Sequence, residues 1–313
     1  MLHNKILSGL IGWALFFGVA LAQDQPVFST FDYPGAVFTN AQGLNPEGDI
    51  VGYYTDTLGK QHGFLLSEGN FTSIDYPGAI ATDARGISPD GEIVGSYPNA
   101  PGGPANMHGY LLSRGTFTEV QFPGYLGTIA QRITPNGDIY GCNHNHVMGA
   151  ADMHGFVLSA AGYTQLDVPA SMNNGATPSD GKRFADSEIE ERFPGDHHRR
   201  HLGSTIVGLY TDLTTGLTHG YLVQNGNFVP FDVPGSNLTQ AWDINPAGVV
   251  AGVFRDTTGK VHGFLLSEGA FSTIDYPGAI ATRAFGINPD GDVVGAYVDF
   301  SGKTHGFLRK VTD

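Results

Sequence analysis

Residues 59–82 read GKQHGFLLSEGNFTSIDYPGAIAT and residues 259–282 read GKVHGFLLSEGAFSTIDYPGAIAT, a difference at only four of 24 positions. Identity of that extent marks a duplicated structural unit. Outward from this pair, His-Gly followed by an aromatic residue recurs at His62, His108, His154, His219, His262 and His305, with spacings of 46, 46, 65, 43 and 43 residues. A second ladder keeps step with the first: Asp32-Tyr-Pro-Gly, Asp75-Tyr-Pro-Gly, Gln121-Phe-Pro-Gly, Asp167-Val-Pro-Ala, Asp232-Val-Pro-Gly and Asp275-Tyr-Pro-Gly. A third consists of Pro-x-Gly turns beginning at Pro46, Pro89, Pro135, Pro246 and Pro289, and the fourth unit has no clean copy.

Each unit carries four short β signals. In the second they are Phe71–Asp75, Thr82–Ser88, Glu92–Tyr97 and His108–Ser113, divided by Pro-Gly and Pro-Asp-Gly turns. Runs such as Phe64-Leu65-Leu66 and Ile93-Val94 are apolar at consecutive positions, so both faces of their sheets must be covered. A period near 43 residues with four strands per repeat predicts an all-β, six-bladed β-propeller of four-stranded blades, one domain over residues 23–313. The chain opens on a strand at Phe28–Asp32 and ends on His305-Gly-Phe-Leu, so the last unit lacks an outer strand and the first has one to spare. The N-terminal strand is therefore expected to complete the C-terminal blade and close the ring, which removes open sheet edges. An open β-solenoid is the competing arrangement, but linear stacks need atypical end caps.

Composition agrees and excludes some functions. Gly accounts for 45 of 313 residues and charged residues for 15%, which disfavours long solvated helices. A net charge of -14 repels phosphate backbones and anionic headgroups, so neither nucleic acid nor a membrane surface is an expected partner. Residues 1–22 read as a signal peptide: Lys5 precedes an apolar run from Ile6 to Val19, and Ala20-Leu-Ala22 supplies small residues before Gln23. Cleavage after Ala22 would release a secreted protein, extracellular or periplasmic. Its lone Cys142 can form no intramolecular disulfide.

The units resemble the HAF family of probable extracellular repeats, named for a His-Ala-Phe step before a short apolar strand. Here that step reads His62-Gly63-Phe64 or His108-Gly109-Tyr110, and the family's small residue, Ile-Asn, turn and Val-Val-Gly pattern is similar to Gly286-Ile-Asn-Pro-Asp-Gly-Asp-Val-Val-Gly295. The resemblance spans nearly all of residues 27–313. It implies export and repetition, with no activity and no site residues to carry across.

A feature common to every unit cannot mark a single active site, so the six repeat histidines are read as structural. Each begins a third strand, opposite Asp56, Asp212, Asp256 or Asp299 at the end of a second strand in four units, and the pair is expected to bond across the hairpin mouth. The Asp-rich turns lack the oxygen count of a calcium loop. Function is expected where the pattern fails. One break is Cys142-Asn-His144-Asn-His146 in the third unit; another is a charged insertion at about 171–203, with Arg199 and Arg200, which could meet an acidic group, and His197, His198 and His201. If the insertion lies in the link between blades, His144, His146, His197, His198 and His201 could hold a divalent transition metal. No other cofactor is expected. No nucleophile elbow, phosphate loop or His-Glu-x-x-His motif is present in the sequence, which argues against an enzyme. The first reading is thus a monomeric, secreted, non-catalytic repeat protein binding a glycan or protein through one propeller face. A metal-dependent hydrolase or lyase at the loops of blades three and four comes second, and a structural envelope or matrix component third.

Overall fold

A computed structural model describes residues 26–101, 103–145, 153–167, 184–185, 205–212, 215–224 and 227–312. The leader and its cleavage point lie outside the described residues. Each unit folds as an antiparallel meander. In the first, Phe38–Leu44, Ile50–Thr55, Gln61–Ser67 and Asn70–Ile74 pair in chain order. Asp83–Ile87, Ile93–Pro98, Met107–Ser113 and Thr116–Val120 form the next sheet, and Gly127–Ile133, Ile139–His144, Met153–Ser159 and Gly162–Leu166 the third. A single 3-10 turn, Pro104–Asn106, is the only helical element among the described residues, and no helix there is long and apolar enough to cross a membrane.

Two of the recurring motifs form one lock. The glycine of the second strand, Gly52 in the first unit, lies under the ring of Phe64 from the His-Gly-aromatic step. A Cβ on Gly52 would sit 2.8 Å from that ring and 2.0 Å from the Asn40 carbonyl oxygen. Phe64 is fully buried as a result, and Tyr110, Phe156, Phe264 and Phe307 repeat the arrangement.

Apolar clusters then join each unit to the next. Val294 of the last unit packs with Ala41, Leu44 and Phe64 of the first. Val51 enters the core of the second unit, Val94 that of the third, and Leu166 packs on the fourth. Val207 and Ala251 continue the series into the fifth and sixth. Burial on both sheet faces explains the consecutive apolar residues.

The sheet count departs from the repeat count. Four separate four-stranded sheets are present where six were expected, because the fourth and fifth units share one sheet of eight strands. Phe184–Ala185, Thr205–Thr211, Thr218–Gln224 and Asn227–Phe231 make up one half, and Ser236–Ile244, Val250–Asp256, Val261–Ser267 and Ala270–Ile274 the other. A single parallel pair, Thr218↔Leu238, joins the halves. The cause is local. Ser236–Ile244 runs for nine residues, and a register shift between Ser236 and Leu238 carries its start across to the neighbouring strand.

The N-terminal strand Val27–Phe31 pairs antiparallel with Thr304–Lys310, from Val27↔Lys310 to Phe31↔Gly306. With Ala281–Ile287 and Val293–Val298 it completes the last four-stranded sheet. Phe28 anchors it, its ring 5.6 Å from that of Tyr276 and 5.9 Å from that of Phe307. Phe28→Ala should therefore lower the unfolding free energy in urea by about 2 kcal/mol, below the range for a fully buried Phe. An unchanged midpoint would show that this strand lies outside the cooperative unit.

Candidate functional site

The repeat histidines lie where third and fourth strands meet. Pairing of Gly63 with Ile74 brings His62 beside Asp75, and their Nδ1 to Oδ1 distance is 2.7 Å. The same contact joins His154 to Asp167 at 2.6 Å, His219 to Asp232 at 2.8 Å, His262 to Asp275 at 2.8 Å and His305 to Asp32 at 2.9 Å. The second-strand carboxylate expected as the partner is the more distant one: Nε2 of His62, His262 and His305 is 3.4, 3.5 and 3.3 Å from Asp56, Asp256 and Asp299. The main partner is thus the acid of the Asp-x-Pro corner. Where Gln121 replaces that acid, His108 Nδ1 lies 3.2 Å from Glu119 without the alignment of a hydrogen bond. Stacked rings hold several of the imidazoles; Tyr54 lies on His62 at 5.0 Å, and Tyr33 lies on Tyr54 at 3.6 Å.

The second-strand acids have a further task. Asp256 accepts hydrogen bonds from Thr258 Oγ1 and from the amides of Thr258 and Lys260, while Asp299 accepts from Ser301 Oγ and the amides of Ser301 and Lys303. The hydroxyl bonds, with the backbone bonds behind them, hold both carboxyls down at about 2.

Of the residues expected to hold a metal, only His144 is described; His146, His197, His198 and His201 lie outside the described residues. His144 is buried, with Nε2 3.2 Å from Cys142 Sγ. Phe184–Ala185 pairs with Ile206 and Thr205, so the insertion is divided, and residues 186–204 connect a first strand to a second strand. That connection joins the sheet at the start of a second strand, whereas His144 ends one. Among the described residues, no group of three or more His, Cys, Asp or Glu side chains has metal-binding geometry.

The molecular axis holds what the sequence reading overlooked. Every described full-length first strand except that of the fourth unit carries a register shift, between Ala41 and Gly43, Ala84 and Gly86, Ala130 and Arg132, Ala241 and Asp243, and Ala284 and Gly286. At Gly86 a Cβ would lie 2.9 Å from the Arg132 Cα, so only backbone fits there. Two units depart from glycine at this position, and their side chains meet. Arg132 Nε donates to Asp243 Oδ2 at 3.3 Å, and the other guanidinium N–H groups donate to the carbonyls of Gln42, Arg85, Gln131 and Phe285. One arginine thereby ties together five units. Burial pulls its pKa down to about 10 against the opposing charge of Asp243, and burial pushes the Asp243 carboxyl up.

This pair forms the floor of an axial bowl of about 120 Å³, walled by Leu44, Ile87, Ile133, Ile244 and Ile287 and rimmed by the prolines of the Pro-x-Gly turns. The opposite face is different. There the inter-unit links leave Val37, Ile80, Leu126 and Ile280 exposed at equivalent positions, and the loops between second and third strands expose Leu58 at 91% and Phe300 at 84%.

No protein-family model matches the chain, and a search of curated proteins finds no match. Solved structures do match. A triple arginine-to-alanine variant of AofleA from Arthrobotrys oligospora is 12% identical over 91% of this chain and 87% of its own, with a TM-score of 0.53. TolB from Acinetobacter baumannii is 11% identical over 84% of this chain and 64% of its own, with a TM-score of 0.52. The fold is an all-β propeller of four-stranded blades. Aleuria aurantia lectin in complex with alpha-methyl-L-fucoside is 11% identical over 90% of the propeller described here and 93% of its own chain, with a TM-score of 0.49.

Two outcomes follow for the propeller's polar groups. Arg132→Gly and Asp243→Gly should each destabilise by about 3–5 kcal/mol in denaturant titrations, since each leaves a buried charge without its partner. The double variant should lose clearly less than their sum; strict additivity would show that the two groups are not coupled. Asp256 and Asp299 titrate lower in the folded chain than in the unfolded one, so their stabilisation is complete above about pH 4. It should disappear as pH falls from about 4 through about 2. Asp256→Asn should flatten the rise of stability with pH across that window, and an unchanged slope would refute the assignment.

Proposed function

We propose that this chain is a six-bladed, exported propeller of HAF-type repeats that binds a glycan or protein partner through one face without catalysing a reaction. The blade count takes the eight-stranded sheet as two blades joined at the pair Thr218↔Leu238. The apolar clusters link each unit to the next at six successive steps, the last returning from the sixth unit to the first, which supports that count.

One observation carries the binding reading. Val37, Ile80, Leu126 and Ile280 recur at the same position of their units on one face, and all are exposed. Their amides are engaged in the fold: Val37 N donates to Thr55 O, Ile80 N to Pro98 O, and Ile280 N to Val298 O. The side chains are left to solvent. Four exposed aliphatic groups on one face, bordered by polar pairs such as Lys60–Asp75 and Lys303–Asp32, are suited to contact with another molecule. The histidines of that face are meanwhile bonded to carboxylates, which suits a scaffold role better than proton transfer.

The test uses a glycan array with the purified protein and its Ile80→Asp/Ile280→Asp variant, alongside thermal melts. Binding should fall at least tenfold with an unchanged melting temperature, as expected for exposed positions at the centre of an interface. A variant that binds every hit as the parent does would place the working surface elsewhere.

A further inference from the structure

We propose that the axial channel, entered from the face carrying Val37, Ile80, Leu126 and Ile280, binds the carboxylate of an acidic sugar, with Arg283 as its cationic partner and Trp242 beneath the sugar ring. This deepens the binding reading above and rests on it.

Three of the six described arginines, Arg85, Arg132 and Arg283, stand on innermost strands in a protein of net charge -14. Two of them are paired at the axis: Arg85 with Asp83 at 2.7 Å and Arg132 with Asp243 at 3.3 Å. Arg283 makes no hydrogen bond or ion pair with any described residue. Among the described residues, the innermost strands therefore carry one cation more than they carry anions.

Position comes next. Arg283 lies two residues before Phe285, on the same side of a strand whose bulge carbonyl accepts from Arg132 at the axis. It is half-buried, so solvent reaches it. The Tyr53 hydroxyl, on the next unit, feels the positive charges of Arg85 and Arg283 and the negative charge of Asp83. Tyr53 Oη accepts from Asn40 Nδ2 at 3.0 Å and keeps its own proton as a donor. The one carboxylate among these groups, Asp83, is already taken up by Arg85 and by the amide and hydroxyl of Ser96, which leaves Arg283 and the Tyr53 hydroxyl as donors for an oxyanion.

The remaining wall points to a sugar. Trp242 and Phe285 meet edge to face with centroids 5.1 Å apart, and Trp242 is only half-buried. Gln240, two residues earlier on the same strand, is half-buried too and supplies an amide. An indole plane accepts the C–H face of a pyranose, an amide bonds its hydroxyls, and one guanidinium takes one carboxylate in bidentate fashion. On the opposite side the Arg132–Asp243 pair closes the channel, so a ligand enters from one face only.

The experiment is a calorimetric and tryptophan-emission titration with D-glucuronate, glucose and acetate. The chain has two tryptophans, Trp13 and Trp242, and Trp242→Phe identifies the signal from the channel. Glucuronate should bind and shift the emission, and glucose and acetate should bind at least tenfold more weakly. Arg283→Ala should weaken glucuronate by about tenfold or more, the loss of a charge-assisted hydrogen bond, and Arg283→Lys should recover part of it. Near-ultraviolet circular dichroism would confirm that both variants are folded. Glucose binding as tightly as glucuronate, with Arg283→Ala indifferent, would overturn the carboxylate site and leave glycan binding intact. Acetate matching glucuronate would overturn the assignment to a sugar. Binding of none of the three would overturn the proposal, whereas the array variant Ile80→Asp/Ile280→Asp reports separately on the face.

Discussion

The innermost strands approach one another so closely that most have room only for backbone. Gly43, Gly86 and Gly286 each face the bulged backbone of the following unit, where an added Cβ would come within 2.8 to 3.0 Å. That crowding orders the rest of the molecule. It brings the carbonyls of Gln42, Arg85, Gln131 and Phe285 within reach of a single guanidinium, and Arg132 satisfies them all. Carbonyl groups converging in a low-dielectric interior would be unfavourable if unpaired, and the Asp243 carboxylate balances the charge that pairs them.

Closure adds a second constraint. Apolar clusters run from unit to unit and return from Val294 to the first, so every sheet has both faces covered. Because Val27–Phe31 and Thr304–Lys310 lie in one sheet, the ends of the chain share an antiparallel ladder. The two faces are left with distinct properties. One holds a small bowl of isoleucines and prolines above a buried ion pair; the other combines four exposed aliphatic side chains with His–Asp pairs.

Much of this is legible in the sequence. Consecutive apolar residues such as Ile93-Val94 announced two-sided burial, and the glycine ahead of Tyr53 and the aromatic of His62-Gly-Phe64 recur together because one lies against the other. The axial pair had a signal too. The repeat aligns Arg132 and Asp243 with Gly43, Gly86 and Gly286, a cation and an anion at a position otherwise held by glycine. It is easily missed because the two are 111 residues apart, and only the ring makes them neighbours. The principal partner of each histidine was misread for a similar reason. A ladder of motifs gives spacing along the chain, but the register between third and fourth strands decides that Asp75 comes nearer to His62 than Asp56 does.

By itself the sequence determined the unit, its strands and turns, and the pairing of the chain's two ends, because these depend on local hydrophobic pattern, turn chemistry and the phase of a repeat. Only the tertiary structure decided which polar groups share a site. It joined Arg132 to Asp243, left Arg283 without an ion pair among the described residues, and merged two units into one sheet at Thr218 and Leu238. Those outcomes depend on distances of a few ångströms across an axis where separate segments converge, and Coulombic and hydrogen-bond energies change steeply over that range.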